Sequence, residues 1–307
     1  MSNPIRDGLF VALQYVLPHH LISRTVYAMT RWRSPLVAPA IRAFVQHFKV
    51  NMDEAVEASP AGYATFNAFF TRAIKPDLRP LVAGDEVAAS PVDGTISQLG
   101  SIKDGRIFQA KGHDYSLVEL LGGELARADA FRNGRFATIY LSPRDYHRIH
   151  MPLAGMLSQM VHVPGRLFSV NPATVARVPR LFARNERVAA IFNTQAGAMG
   201  MVLVGAMNVA AIETVWAGLV TPPHGHEIGV WNYGEHVHVQ LPRGAEMGRF
   251  NMGSTVILLL PDSMTFRPDL VTGSTVRMGE ALAQAYPWPK HDDNIDAMGT
   301  LESSAQA

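Results

Sequence analysis

Met252-Gly253-Ser254-Thr255-Val256-Ile257-Leu258-Leu259-Leu260 sets a flexible glycine and a nucleophilic hydroxyl directly before an uninterrupted apolar run. Such a short apolar run, β-branched at its start, reads as a buried strand. A serine at the head of that strand can attack the peptide bond before it and become the precursor of a cofactor. The plainer reading is a turn, because Gly-Ser-Thr is common in loops. The stretch does not fit the Gly-x-Ser-x-Gly elbow of α/β hydrolases, since Val256 stands where the second glycine belongs.

The pattern around this stretch is β-rich. From residue 80 to 278 the chain is dense in Gly, Pro, Val and Thr, with short runs at 106–110, 136–141 and 237–241. These predict many short strands joined by turns. One longer helix is expected over 116–132, where Leu117, Leu120, Leu121 and Leu125 recur at helical intervals. Upstream, residues 51–79 read as helix, with Phe66, Phe69 and Phe70 at helical spacing. The first fifty residues predict two or three short amphipathic helices. Leu9, Leu13, Val16 and Leu17 lie on one face and Ile41, Phe44, Val45 and Phe48 on another, with Pro18, Pro35 and Pro39 between the pieces.

The expected fold class is therefore α+β: amino-terminal amphipathic helices followed by a β-rich sandwich or barrel-like catalytic core. Boundaries are expected at 1–75 for the helical region, 76–288 for the core and 289–307 for a polar, disordered tail.

Composition narrows the function classes. The chain has 307 residues, 48% of them hydrophobic, enough to bury a real core. With 27 basic and 26 acidic side chains the net charge is +1, which carries no signature of a nucleic-acid binder. There is no cysteine, so disulfides, thiolate zinc sites and cysteine nucleophiles are excluded. No apolar segment approaches the roughly 20 residues that span a bilayer, and no secretory signal pattern opens the chain, so a cytoplasmic location is expected. The first fifty residues are nonetheless basic: Arg6, Arg24, Arg31, Arg33, Arg42 and Lys49 face a single acid, Asp7. Trp32 between two arginines suits a lipid headgroup interface, although helices simply packed on the core would read similarly.

Two further segments place reactive groups beside turns. Ser90-Pro91-Val92-Asp93-Gly94-Thr95 puts a carboxylate at a turn, where an ordinary Asp-Gly turn is the plainer reading. Residues 140–152 carry Arg144, Asp145, Tyr146, His147, Arg148 and His150 after an apolar strand. This density suits proton transfer or anion binding better than packing. His147 and His150 have His-x-x-His spacing, but the flanking Pro143 and Pro152 do not suit the helical His-Glu-x-x-His metal motif, and no metal is expected. Aspartate, histidine and serine in three segments supply the parts of a nucleophile, base and orienter relay. A serine hydrolase using the same three residues, or a non-enzymatic lipid-binding β domain, stays open on these residues alone.

The ordered motifs resemble the phosphatidylserine decarboxylases, the pyruvoyl-dependent enzymes of bacterial and mitochondrial membranes. The resemblance covers residues 66–279. It runs through Phe69-Phe70-Thr71-Arg72, the Ser90 to Gly94 turn, Lys111-Gly112-His113-Asp114-Tyr115-Ser116-Leu117, the 140–152 block, Val163-Pro164-Gly165-Arg166-Leu167-Phe168-Ser169-Val170-Asn171, Leu181-Phe182-Ala183-Arg184-Asn185-Glu186-Arg187, Glu213-Thr214-Val215-Trp216-Ala217-Gly218, and Gly248 to Thr255. Met252 stands where the common bacterial form has leucine, an apolar exchange.

The resemblance implies an Asp93, His150 and Ser254 relay that cleaves the chain between Gly253 and Ser254. It implies fragments 1–253 and 254–307, with a pyruvoyl group derived from Ser254 that forms a Schiff base with phosphatidylserine. It points to His147 for decarboxylation or for holding the substrate phosphate, with Arg144, Asp145 and Arg148 as further substrate-binding candidates. It implies a peripheral enzyme at the cytoplasmic face of an anionic membrane. A dimer is expected from the frequency of twofold assemblies.

Overall fold

In the computed structural model, which describes residues 4–207, 211–222, 226–234, 237–251, 254–285 and 288, the apolar run forms the strand Ser254–Leu260. It lies inside a nine-stranded antiparallel sheet. Val256, Leu258 and Leu260 enter one core cluster and Ile257 and Leu259 a second on the opposite face. That explains why the run does not alternate with polar residues: both faces are covered. Its five side chains from Val256 to Leu260 are fully buried, and burial of each stabilises the fold by about 1.5–3 kcal/mol.

Eight helices precede and cap the sheets among the described residues: α1 (Pro4–Val16), α2 (His19–Thr30), α3 (Val37–Phe48), α4 (Phe66–Phe70), α5 (Leu117–Leu120), α6 (Leu125–Asp129), α7 (Pro172–Val175) and α8 (Leu181–Arg184). The strands of the first half are β1 (Val87–Ala89), β2 (Gly94–Ser101), β3 (Arg106–Ala110), β4 (His113–Ser116), β5 (Arg135–Leu141), β6 (Arg148–His150), β7 (Gly155–Val163), β8 (Arg187–Thr194) and β9 (Gly197–Val204). Those of the second are β10 (Ile212–Thr214), β11 (Gly218–Thr221), β12 (Gly229–Asn232), β13 (Gln240–Leu241), β14 (Glu246–Phe250), β15 (Ser254–Leu260), β16 (Thr265–Phe266), β17 (Thr275–Val276) and β18 (Ala281–Gln284).

The large sheet runs β12-β7-β8-β9-β15-β5-β2-β17, with β13 also on β7. A four-stranded sheet, β11-β10-β14-β6, and a three-stranded sheet, β1-β18-β16, contribute residues to the first core cluster, so one face of the large sheet is a sandwich layer. The other face is covered by α1, the β3-β4 hairpin and the short helices α5 to α8. The α+β expectation holds, and no sheet among the described residues closes into a barrel.

Four local expectations need correction. The helix expected over 116–132 is two single-turn helices, because Gly122 and Gly123 take φ of +88° and +93°, which a helix cannot hold. Residues 51–79 contain only α4 and two 3-10 turns that begin at Pro60 and Pro76, so prolines divide the segment. Pro39 does not separate helices; it sits in the first turn of α3, where its missing N–H costs nothing. Of the run 237–241, only Gln240–Leu241 is strand. The expected tail at 289–307 lies outside the described residues.

The amino-terminal helices divide their faces in an unexpected way. Gln14 pins α1 to the core, its Oε1 accepting from Ser169 N at 2.7 Å and its Nε2 donating to Thr174 Oγ1 at 3.3 Å. Leu9, Leu13 and Val16 point away from the core and are 72%, 51% and 78% exposed. The stripe predicted from spacing is real, but the protein does not bury it.

Candidate active site

Three separate segments meet at one end of the large sheet. Ser254 begins β15 and pairs with Leu141, the last residue of β5. On the other side of β5, Thr95 pairs with Tyr140, which brings Gly94 and Asp93 level with Leu141 and Ser142. Adjacent strands lie about 4.8 Å apart, so the backbones at 94 and 254 are about 10 Å apart across Leu141. Gly94 permits this approach: a Cβ there would sit 2.6 Å from the Tyr140 carbonyl oxygen and 2.9 Å from Ile139 Cγ2. The chain leaving β5 then turns through 142–147 into β6. Phe250 N donates to the His147 carbonyl at 3.0 Å, and His150 N donates to the Pro91 carbonyl at 2.9 Å, so the three segments interleave.

His147 is fully buried, and its ring stacks on Phe70 at 4.1 Å with a 22° interplanar angle. Neither ring nitrogen makes a hydrogen bond of good geometry among the described residues, although the backbone of Ser142 and Pro143 lies close to it. Burial first, and the nearby Arg72 charge second, depress its pKa to about 3, only partly opposed by backbone groups of Ser142 and Pro143. The ring is therefore neutral at physiological pH. Phe70 ends α4, which Thr65 caps through a 3.1 Å bond from Ala68 N and which packs against α3. The amino-terminal helices thus brace the imidazole directly.

His150 is half-buried, and burial is the main cause lowering its pKa. Its Nδ1 lies 2.9 Å from the Gly244 carbonyl, which can only accept, so Nδ1 carries the proton and Nε2 the lone pair. The Tyr146 hydroxyl donates to Nε2 at 3.0 Å. Burial pushes that phenol up to about 12.

Asp93 is buried but does not touch His150. Its carboxylate accepts from Arg79 Nε at 2.9 Å, from Arg79 Nη2 at 2.5 Å and from Met278 N at 2.8 Å. Arg79 also holds Glu54 at 2.7 Å. The bidentate fork fixes the carboxylate plane as a single charge could not. The relay partners are thus gathered at one sheet end without forming an Asp93 to His150 hydrogen bond. The acid reaches His150 only through its field, as one of the weaker influences on the imidazole.

The remaining candidates separate by role. The Arg144 side chain is exposed and, among the described residues, has only a 3.8 Å contact to Asp145. Asp145 closes the 142–147 turn, Oδ2 accepting from Ser142 N at 2.7 Å, while burial raises its pKa against those bonds. Arg148 links three elements, donating to the Thr71 carbonyl and to Glu246, each at 2.9 Å. Gly253 and its neighbour Met252 lie outside the described residues; Ser254 is described as a strand residue only.

Several contributors escaped the sequence reading. Arg72 is buried and donates to the Arg144 carbonyl at 2.9 Å; its place in the Phe-Phe-Thr-Arg run was the available signal. Asn67 Nδ2 donates to Asn251 Oδ1 at 3.0 Å, bracing the last described residue before β15. Arg79 and the Gly244 carbonyl had no sequence signal, because each acts through the fold.

A covalent carbonyl group at position 254, as the resemblance implies, fits this surrounding. The two nitrogens of His147, Ser142 Oγ and Thr255 Oγ1 are buried polar atoms that make no hydrogen bond of good geometry among the described residues. All belong to the two segments that meet at the start of β15. No cluster of three or more metal-ligating acids and histidines occurs among the described residues.

Fold and sheet end together define an α+β protein with a serine-headed strand beside paired histidines. A family model described as Phosphatidylserine decarboxylase matches residues 66–284, and a second, described as PSD, matches residues 9–49. Relatives called phosphatidylserine decarboxylase proenzyme include one from Azotobacter vinelandii, 54% identical over 92% of this chain and 99% of its own length. Others are from Idiomarina loihiensis, 54% identical over 91% of this chain and 97% of its own, and Bordetella pertussis, 56% identical over 91% and 95%. The chain belongs to the phosphatidylserine decarboxylase family.

Proposed function

We propose that this protein is a self-processing phosphatidylserine decarboxylase that cleaves itself between Gly253 and Ser254 and then converts phosphatidylserine to phosphatidylethanolamine and carbon dioxide. The observation that carries the reading is the register of the sheet end. β2, β5 and β15 are neighbouring strands, so Asp93 just before β2, the 142–150 segment that leaves β5, and Ser254 at the head of β15 meet there from distant parts of the chain. In the cleavage step Ser254 Oγ attacks the Gly253 carbonyl while His150 Nε2 takes the hydroxyl proton. The peptide C–N bond breaks to an ester as His150 returns its proton to the departing amine; β-elimination then releases residue 253 as a carboxylate and leaves dehydroalanine at 254, which tautomerises to an imine that water hydrolyses to the pyruvoyl carbonyl and ammonia. The lowered pKa keeps His150 neutral and ready to accept that proton at pH 7. The Gly244 carbonyl sets the tautomer, Tyr146 occupies Nε2 until the serine displaces it, and Asp93 stabilises the imidazolium as it forms.

The pyruvoyl group left at residue 254 supplies the carbonyl electron sink that decarboxylation needs. Around it His147, neutral and walled by Phe70, offers one N–H donor and one acceptor nitrogen, suited to holding the headgroup or to relaying a proton in at one ring nitrogen and out at the other. Arg144 is the most exposed of the substrate-anion candidates; Asp145 and Arg148 shape the loop that presents it. The products, 1–253 and 254–307, remain one body. β15 makes seven register pairs with β5 and five with β9, so the small fragment is a central strand of the large fragment's sheet.

Residues 1–75 form the membrane-associating region and 76–288 the catalytic core. Ile5, Leu9, Leu13, Val16, Leu21 and Trp32 are all more than half exposed along α1, α2 and the following turn, beside Arg6, Arg24 and Arg33. This is the composition of a helix pair lying in a lipid interface. No helix among the described residues is long and apolar enough to cross a membrane. The enzyme sits peripherally on the cytoplasmic face, as a dimer of processed units. Intact-mass analysis of wild-type and Ser254→Ala protein, followed by carbon dioxide release from phosphatidylserine vesicles, tests the reading. It requires fragments and turnover from the first and neither from the second.

A further inference from the structure

Two of the segments that mark the family, around 163–171 and 181–187, take no part in the cleavage geometry described above. They meet α2 around a cavity of about 760 Å³. Among the described residues Arg24, Arg166 and Arg184 line it against one carboxylate, Glu186, which already pairs with His162 at 3.0 Å. The side chains of Arg24 and Arg166 make no hydrogen bond or ion pair among the described residues; that of Arg184 reaches Tyr15 Oη at 3.5 Å and packs over the Tyr15 and Phe168 rings. Ser23, 4% exposed, lines the same cavity, and its hydroxyl has no partner among the described residues. A buried hydroxyl in want of an acceptor, beside guanidiniums whose side chains lack an acid partner, favours an anionic, oxygen-bearing ligand.

The cavity is built rather than incidental. His20 Nε2 contacts the Gly165 carbonyl at 2.9 Å, and Leu167 N donates to His19 Nδ1 at 3.2 Å, so consecutive histidines clip α2 to the loop after β7. Gly165 lets that loop close on 184–186: a Cβ there would lie 2.4 Å from the Arg184 carbonyl oxygen. The cavity also lies near the end of the sheet that carries Ser254. Gly205 N donates to the Glu186 carbonyl at 2.9 Å, and the neighbouring Val204 pairs with Thr255. Glu186 is therefore about two strand spacings, on the order of 10 Å, from the backbone of Ser254.

We propose that this cavity binds a phosphodiester, held by Arg24, Arg166 and Arg184 with Ser23 as a hydroxyl donor. Guanidinium forks match paired phosphate oxygens, and Glu186 disfavours a ligand with a second negative group deep in the cavity. That the phosphodiester is a phospholipid headgroup rests on the proposed function; that the cavity takes a phosphodiester does not. Its source is the substrate itself or a second, anionic lipid beside it.

The test uses full-length wild-type protein and sn-glycero-3-phosphoglycerol, a soluble phosphodiester, in a calorimetric titration without membranes. Saturable binding is expected, weakened about tenfold or more by Arg166→Gln and unchanged by Arg132→Gln, an exposed site outside both the cavity and the amino-terminal helices. Should Arg166→Gln not fold, Arg24→Gln on the opposite wall serves in its place. No binding by wild type, or equal binding by the cavity variants, overturns the proposal. Turnover in phosphatidylcholine vesicles then identifies the source. A raised KM for phosphatidylserine alone marks the substrate's phosphodiester, while loss only of stimulation by added phosphatidylglycerol marks a second lipid. Self-cleavage, followed by mass in the same samples, separates a failure of this site from a failure of the decarboxylase reading.

Discussion

Replacing His147 by leucine should flatten the acid limb of the protein's stability curve. In the unfolded chain this imidazole takes up a proton at its ordinary pKa of 6.5, whereas in the native protein burial and Arg72 hold it at about 3. Between those values the unfolded state binds the extra proton. Native stability is therefore undiminished above about pH 6.5, falls as the pH drops below it, and has lost the whole contribution near pH 3. Each pH unit in that window costs about 1.4 kcal/mol, so at pH 5 the wild-type protein should be about 2 kcal/mol less stable, from this residue alone, than at pH 7.5. Leucine has no proton to bind and leaves the other histidines in place. The assay is urea unfolding of wild type and His147→Leu at pH 7.5, 6 and 5, followed by fluorescence, with the difference between the two pH slopes as the readout. The variant's absolute stability will also shift through changed packing on Phe70, but that shift does not depend on pH. Parallel curves, or an NMR titration placing native His147 near 6.5, would refute the dry, neutral imidazole on which its proposed role depends.

Other outcomes follow from specific contacts. Gly94→Ala forces a Cβ against the Tyr140 carbonyl and Ile139, and should cost about 1–3 kcal/mol of stability and slow self-cleavage, read by thermal melting and by mass. Arg79→Met leaves the buried Asp93 and its neighbour Glu54 without their shared cation; a loss of up to about 3–5 kcal/mol is expected, with Arg79→Lys intermediate because an ammonium cannot form the fork. Deleting residues 1–50 should release the protein from anionic liposomes in a sedimentation assay, and unchanged sedimentation would remove α1 and α2 from the lipid interface.

How much of this could be read from the chain depends on whether the signal was local. The run Val256 to Leu260 announced a buried strand because the sheet covers both its faces, and no partner strand had to be known. The stripe Leu9, Leu13 and Val16 announced a helix, but spacing cannot say whether an apolar face meets a core or something else. The structure turns it outward. Gly122 and Gly123 broke a leucine pattern that otherwise favoured one helix, so there a positive φ outweighed periodicity. At the site, residue types named Asp93, His147, His150 and Ser254, yet their arrangement depends on register between strands far apart in sequence. For that reason Arg79, which holds Asp93, and the Gly244 carbonyl, which holds His150, were invisible: a lone arginine and a backbone oxygen have no motif. Arg148 shows the converse. It stood in the richest segment of the sequence and is engaged by Thr71 and Glu246.

The central claim is that the bond before Ser254 is one this protein breaks. Intact-mass spectrometry of the purified full-length protein, with hydroxylamine added to label a carbonyl terminus, tests it most directly. The account predicts two fragments, residues 1–253 and 254–307, the smaller one blocked at its amino terminus and shifted by the label, and a single uncut chain from Ser254→Ala. A wild-type chain that stays whole after prolonged incubation with anionic lipid, or a small fragment that begins with an unmodified serine, would contradict it.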